Sequence, residues 1–142
     1  PGDMPEKIKA FCKKTGQLVP KSKGQILRVA TESLALKYRQ VVESIQQVTG
    51  RTFEKLHAGG GGIQNALLAQ ATADALGIPV VAGPVEATSC GNIITQMVAT
   101  GDLKDITAGR ALVEASMETV TYNPESSAEW QQPYQKFLKL AE

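Results

Sequence analysis

Near the middle of the chain runs Thr52-Phe53-Glu54-Lys55-Leu56-His57-Ala58-Gly59-Gly60-Gly61-Gly62-Ile63-Gln64-Asn65. A short, partly β-prone segment breaks into four consecutive glycines and then into a helical pattern. We read Thr52 to His57 as a strand and Ile63 to Leu76 as a helix, with Leu67, Leu68, Ala71 and Ala75 inward. Gly77 ends that helix. Ile78-Pro79-Val80-Val81-Ala82 follows, a continuous apolar run of the kind found in strands covered on both faces. Gly83-Pro84 turns the chain into a helix over 86–100, whose inner side is Ala87, Cys90, Ile93, Ile94, Met97 and Val98. Strand, helix, strand, helix in that order predicts a parallel α/β layer. Two strands do not complete such a sheet, so its remaining strands are expected from chain preceding residue 1.

Working outward, residues 5–15 read as a short helix with Ile8, Phe11 and Cys12 on one face. Leu18-Val19-Pro20 is an extended link, and Ser22 caps the longest element. Leu27, Ala30, Leu34, Tyr38, Val41, Ile45 and Val48 recur at spacings of three and four, which predicts an amphipathic helix of about seven turns with that stripe inward. Thr49-Gly50 ends it, the glycine being suited to a left-handed cap. Towards the other end, 105–120 reads as a helix with Asp105 or Thr107 at its start. Asn123-Pro124 is a turn, and 128–141 is a final helix carrying Trp130, Tyr134, Phe137 and Leu138 as core.

Composition narrows the function classes. Of 142 residues, 42% are hydrophobic, which suits a packed core, and 15 Lys+Arg against 14 Asp+Glu leave a net charge of +1. That balance offers no electrostatic footprint for nucleic acid or an anionic membrane surface. No segment reaches the roughly 18 apolar residues of a membrane span, and no signal-peptide pattern opens the chain. Cys12 and Cys90 are too few for a disulfide framework and lack metal-ligand spacing. Two lone thiols fit a reducing cytoplasm. Pro1-Gly2-Asp3 reads as an interior point of a longer protein.

The glycine run carries the chemistry. Glycine permits close backbone approach to a ligand, and a helix start offers unpaired N–H groups and a positive dipole end. The run together with the helix start is thus a candidate site for phosphate. The run closes with no Gly-Lys-Ser/Thr, and no Gly-x-Gly-x-x-Gly register is forced; a flexible strand-to-helix turn would look the same. Asn65 can hydrogen-bond a base edge or ribose, or cap the helix. Gln64 can contact a ligand or face solvent. Glu86 would complement the dipole of the helix it opens but repel phosphate, which favours the first helix start as the anion site. Gly91 reads as a close-packing point. His57, the single histidine, reads as packed or hydrogen-bonded. The acidic residues show no spacing of a metal cage.

The stretch from Leu56 to Asn65, Ala73-Asp74, and Gly77-Ile78-Pro79-Val80-Val81-Ala82-Gly83-Pro84-Val85-Glu86-Ala87-Thr88 continuing to Gly91-Asn92-Ile93 resemble the C-terminal domain of the FGGY carbohydrate kinases. Within them they resemble the branch that phosphorylates L-rhamnulose, and the resemblance extends over essentially the whole chain. It implies part of an actin-like, ribonuclease-H-like ATPase domain, α/β, with parallel strands flanked by several long helices. Residues 1–142 would be the C-terminal portion of the nucleotide-binding lobe, the sugar-binding lobe lying outside them. The implied reaction is ATP-dependent phosphorylation of the sugar's 1-hydroxyl, in rhamnose catabolism, with ATP and Mg2+ as cofactors. By position, Gly60, Gly61 and Gly62 approach the phosphates and ribose, and Gln64 and Asn65 lie near the adenine. The catalytic aspartate and the metal ligands are expected outside this chain, so no catalytic or metal residue is assigned within it. The implied partners are ATP/ADP and, through the other lobe, the sugar; nucleic acid and membrane are not expected. The chain departs from the family pattern at Gly59, where an apolar residue is usual, and at Ile63, where a small polar one is usual. Other readings are a stand-alone nucleotide-binding or interaction module, and a kinase of the same family for another ketose or polyol. With only two strands present, an orphaned sheet edge and the surface otherwise packed on the absent lobe are expected to make the isolated chain self-associate.

Overall fold

The computed structural model describes residues 2–141, the side chains of Ile63 and Ala141 excepted. Helix α1 (Met4–Lys14) is capped by Asp3, with Pro5 in its first turn. Helix α2 (Lys23–Thr49) starts in a capping box. Ser22 Oγ accepts from Gln25 N at 3.2 Å and Gln25 Oε1 accepts from Ser22 N at 3.3 Å, so two otherwise orphaned backbone donors are satisfied. Gly50, at φ 66°, ends it in the left-handed conformation. Strand β1 (Leu56–Ala58), helix α3 (Ala66–Leu76), strand β2 (Val80–Ala82) and helix α4 (Ala87–Thr100) follow in the expected order.

The remainder departs from the sequence reading. Helix α5 (Ile106–Ser116) is capped by Asp105, whose carboxylate accepts from Ala108 N at 2.9 Å, and it stops four residues earlier than periodicity suggests. Val120–Tyr122 then forms strand β3, antiparallel to β2. Val-Thr-Tyr is a β-prone triplet, but three residues appended to a helical pattern give a period argument little to work on. The sheet order is β1-β2-β3, with β1 and β2 parallel. The final segment is a 3-10 turn, Ser127–Trp130, leading into α6 (Gln131–Ala141).

The core lies where α2, α3 and α6 meet: Ala35, Leu36, Ala71, Ala75 and Tyr134 are buried, with Trp130, Phe137 and Leu138 packed against them. Small residues let α2 and α3 approach closely. This corrects the expected orientation of α2. Thr31, Ala35 and Leu36 face inward, whereas Leu27 (67%), Leu34, Tyr38, Val41, Ile45 and Val48 (88%) are exposed. The 27-residue helix outruns its 11-residue neighbours α3 and α6, so its second apolar edge has no covering element among the described residues. Leu67, expected inward on α3, and Ile93, expected inward on α4, are likewise exposed.

A charged clamp fastens α6 to α2. Tyr134, 2% exposed, donates its hydroxyl to Glu43 Oε2 at 2.5 Å. Arg39 lies over the Tyr134 ring at 4.0 Å and donates to Glu43 Oε1 at 2.8 Å and Gln131 Oε1 at 3.0 Å. Burial, then the hydrogen bond to Glu43 and its charge, push the phenol up to about 12, with Arg39 opposing. Because the folded state holds this proton more tightly than the unfolded chain (ordinary value about 10), the contribution is intact below pH ~10 and is lost as pH rises towards about 12. Urea midpoints at several pH values in this window should fall, and Tyr134→Phe should make the fall shallower. An identical decline in both proteins would refute the assignment.

Candidate nucleotide site at the glycine run

Two loops leave the same end of the parallel pair β1 and β2, the end at which α/β sheets commonly bind ligands. They are laced together. Gly83 N–H donates to Ala58 O at 2.8 Å, and Gly60 N–H donates to Pro84 O at 3.2 Å. Gly83 has φ 132°, and a methyl there would lie 2.9 Å from Glu118 O, so the second loop needs glycine both for its backbone and for the approach of the chain entering β3.

The first loop is the glycine run. Gly60 adopts φ 88°, which a side chain would strain. Gly61 and Gly62 do not lead straight into α3; Gly61–Gln64 forms a separate 3-10 turn. A methyl built on either Gly61 or Gly62 meets nothing within 4 Å, so the run presents a ledge of bare backbone to open space. Gln64 is exposed beside it. A ledge without side chains fits a ligand that must approach the backbone closely, as phosphate and ribose do. Below it lies a small cavity of about 140 Å³ between Tyr38, Gly59, Gly62, Leu68 and Thr72.

Asn65 occupies the N-cap of α3, and its Oδ1 accepts from Leu68 N at 3.1 Å. That oxygen is engaged in the cap, so the start of α3 is already partly satisfied. The expected helix start at Ile63 is corrected to Ala66, and of the two readings of Asn65 the capping one is observed. The strand also begins later than expected, at Leu56 rather than Thr52. The side chain of Ile63, a position that departs from the family pattern, lies outside the described residues.

Other candidates fall elsewhere. Glu86 stands at the N-cap of α4 but makes no side-chain capping bond. His57 and Val81 face the opposite side of the sheet from Leu56, Ala58 and Val80. There they line a cleft of about 670 Å³ bounded by α4 and α5, with Lys55, Arg110 and Glu114 among its walls. β2 is thus closely covered on one face and half-open on the other. A methyl on Gly91 meets nothing within 4 Å; the close-packing glycine is Gly109, where a methyl would run into Ile94. Among the described residues no group of three or more His, Cys, Asp and Glu could hold a metal, and no helix is long and apolar enough to cross a membrane.

Asp74 received no role in the sequence reading, although a carboxylate within Ala71-Thr72-Ala73-Asp74-Ala75 signals a buried charge in need of partners. It is buried on α3. Its Oδ1 accepts from Glu125 N at 2.7 Å, Gln70 Nε2 at 3.1 Å and Ser126 N at 3.4 Å, and its Oδ2 accepts from Ser126 Oγ at 3.3 Å. It pins the turn between β3 and the final segment to the helix that begins at the candidate site.

The chain is similar to two curated proteins named Rhamnulokinase. The one from Bacteroides thetaiotaomicron is 47% identical over 137 residues, covering 96% of this chain and 28% of the relative. The one from Enterococcus faecalis is 43% identical over 143 residues, covering 98% of this chain and 29% of the relative. The chain thus spans under a third of the length of these relatives. The model of the FGGY family of carbohydrate kinases, C-terminal domain, matches residues 1–100, which include both laced loops. That domain is part of the actin-like ATPase fold, in keeping with the parallel pair β1 and β2. On the match of residues 1–100 and the likeness over nearly its whole length, the chain belongs to the FGGY family of carbohydrate kinases and carries sequence of its C-terminal domain.

Proposed function

We propose that the protein carrying this chain is an ATP-dependent kinase that phosphorylates L-rhamnulose on its 1-hydroxyl, and that this chain supplies part of its nucleotide-binding lobe. The observation that carries the reading is identity of 47% and 43%, over nearly the whole chain, to proteins named Rhamnulokinase. The ledge at Gly60, Gly61 and Gly62 supports the nucleotide role, since its backbone is open to a ligand. In this reading the ledge faces the phosphates and ribose, while Gln64 and Asn65 lie beside the adenine. Asn65 also caps α3, so one residue sets both the helix start and the edge of the site. ATP supplies the phosphoryl group when bound. The base that takes the sugar hydroxyl proton, and the ligands of Mg2+, belong to the remaining part of the polypeptide, in the cytoplasm.

The test is a coupled ADP-release assay on the complete polypeptide with MgATP and a panel of ketoses. L-rhamnulose should give the highest kcat/KM, and a clear preference for another ketose would overturn the substrate assignment. The 142-residue chain alone should match the blank, because phosphoryl transfer needs a positioned base and metal-bound phosphates.

The exposed stripe of α2, from Leu27 to Val48, also supports self-association of the isolated chain. Sedimentation equilibrium over a wide concentration range should show mass above 15.1 kDa. A monomer throughout would rule it out.

A further inference from the structure

Across the sheet from the small cavity under the glycine run lies the cleft of about 670 Å³ bounded by α4 and α5. Its size falls within the range of about 300–1,000 Å³ usual for small-molecule sites. Its construction follows the same pattern, an apolar floor on which a few polar groups converge. Val81 of β2, Ile94 of α4 and Val113 of α5 line it and are half-buried. Lys55 stands at the entry to β1, and Arg110 and Glu114 stand four residues apart on α5. The α5 wall lies beyond residues 1–100, the part matched by the family model, so the shared family segment does not build this cleft alone.

The charged groups of the cleft are uncommitted. Among the described residues the ion pairs are Glu6 with Lys9, Arg28 with Glu32, and Arg39 with Glu43, so Lys55, Arg110 and Glu114 take part in none. Arg110 and Glu114 have a helical spacing that permits an ion pair, yet they do not form one. Lys55 and Arg110 come from separate elements and line one cavity. Two cations that converge in this way suit a doubly charged anion, and an arginine fork and a lysine point charge are the usual binders of phosphate. A carboxylate in the same wall repels bare phosphate, but it accepts hydrogen bonds from hydroxyl groups. The apolar floor suits the C–H face of a carbon skeleton. Dianion, hydroxyl groups and a carbon skeleton together describe one class of molecule.

We propose that this cleft is a second binding site, for a small phosphorylated polyol such as a sugar monophosphate. Lys55 and Arg110 hold the phosphate, Glu114 accepts from the hydroxyl groups, and Val81, Ile94 and Val113 carry the skeleton. The site does not depend on the nucleotide reading of the glycine run. His57 and Val81 face it, while Leu56, Ala58 and Val80 face the cavity under the run on the other side of the sheet.

Calorimetric titration of the complete polypeptide tests it, with D-glucose 6-phosphate and inorganic phosphate as the probes. Glucose 6-phosphate is a hexose phosphate unlike the 1-phosphate product of the proposed reaction. It should bind saturably and more tightly than inorganic phosphate. Lys55→Ala and Arg110→Ala should each weaken both probes about tenfold, as expected for loss of a charge-assisted hydrogen bond. Glu114→Ala should weaken glucose 6-phosphate about fivefold, the usual scale of one hydrogen bond, without weakening inorganic phosphate. All three side chains are exposed, so thermal midpoints should hold, and MgADP titrations should match the unaltered protein. No saturable binding at millimolar glucose 6-phosphate would overturn the proposal, and so would binding that Lys55→Ala and Arg110→Ala leave intact, since that ligand would sit elsewhere. Equal affinity for the two probes, with Glu114→Ala changing neither, would make the cleft a site for a bare anion and would overturn the polyol assignment.

Discussion

Replacing Gly61 by valine in the complete polypeptide is expected to raise the KM for ATP by about tenfold or more, roughly 1.4 kcal/mol of lost binding, with little change in the KM for the sugar. The structure makes this a test of the ligand rather than of the fold. A methyl on Gly61 has no neighbour within 4 Å, and Gly61 lacks the positive φ that makes Gly60 intolerant of side chains. The thermal midpoint of the unliganded variant should therefore move little. On the proposed reading of the run, the branched side chain would stand in the open space that the nucleotide enters. Asn65→Ala provides the contrast. It removes the cap on Leu68 N and should lower stability by about 1 kcal/mol, the usual cost of losing a helix cap. Any loss of discrimination between ATP and GTP would come on top of that and would show the Asn65 amide reading the base. Unaltered ATP kinetics in Gly61→Val would remove the run from the site.

Asp74→Ala is expected to cost about 3 kcal/mol of stability, well beyond the loss of a single helix cap. Its carboxylate accepts from two backbone N–H groups, a hydroxyl and an amide. Truncation leaves those donors without their acceptor in a part-buried position, at about 1–3 kcal/mol for each group left unsatisfied. Asp74→Asn retains one acceptor oxygen where three of the four bonds converge and should cost about 1 kcal/mol, the net worth of a single hydrogen bond. Chemical denaturation of the three proteins checks this order. Equal losses in Asn and Ala would mean that the charge, rather than the number of acceptors, holds the turn at 123–126. Because the clamp joins that turn to α3, the alanine variant should also increase amide exchange along β3 before it affects α2.

Much of the backbone architecture is legible in the chain because its causes are local. The Ser22–Gln25 capping box, Gly50 and Gly77 as left-handed ends, and Asp105 as a cap are each specified within four or five residues. The alternation of β1, α3, β2 and α4 follows from glycine breaks and apolar runs, and the family motifs lie in the same stretch. The glycine run is readable as a place of close approach for the same reason. Its internal form is not. Only Gly61 and Gly62 enter the 3-10 turn, and Gly60 N–H is tied to Pro84 O, 24 residues further on.

Strand β3 is hidden in the sequence because three residues carry no measurable period. They become a strand only because Val80–Ala82 offers a free edge on which Val120–Tyr122 can pair. The periodicity of α2 marks its apolar positions correctly but does not say which of them turn inward. That choice belongs to the short helices α3 and α6, whose alanines and Tyr134 select Thr31, Ala35 and Leu36 and leave the Leu27–Val48 edge uncovered. Gly91 and Gly109 look alike in the sequence, yet only Gly109 has Ile94 of another helix against it.

By itself, then, the sequence determined the helices and their caps, the order of the first two strands, the breaks between them and the family to which they belong, since backbone conformational freedom and capping hydrogen bonds act over a few neighbouring residues. The tertiary structure alone decided which stripe of α2 is core, that β2 gains an antiparallel neighbour, that Asp74 is a clamp, and that Gly109 rather than Gly91 meets Ile94. Each of these depends on a contact between residues that the chain brings together only by folding, where close packing leaves or denies room for a single carbon.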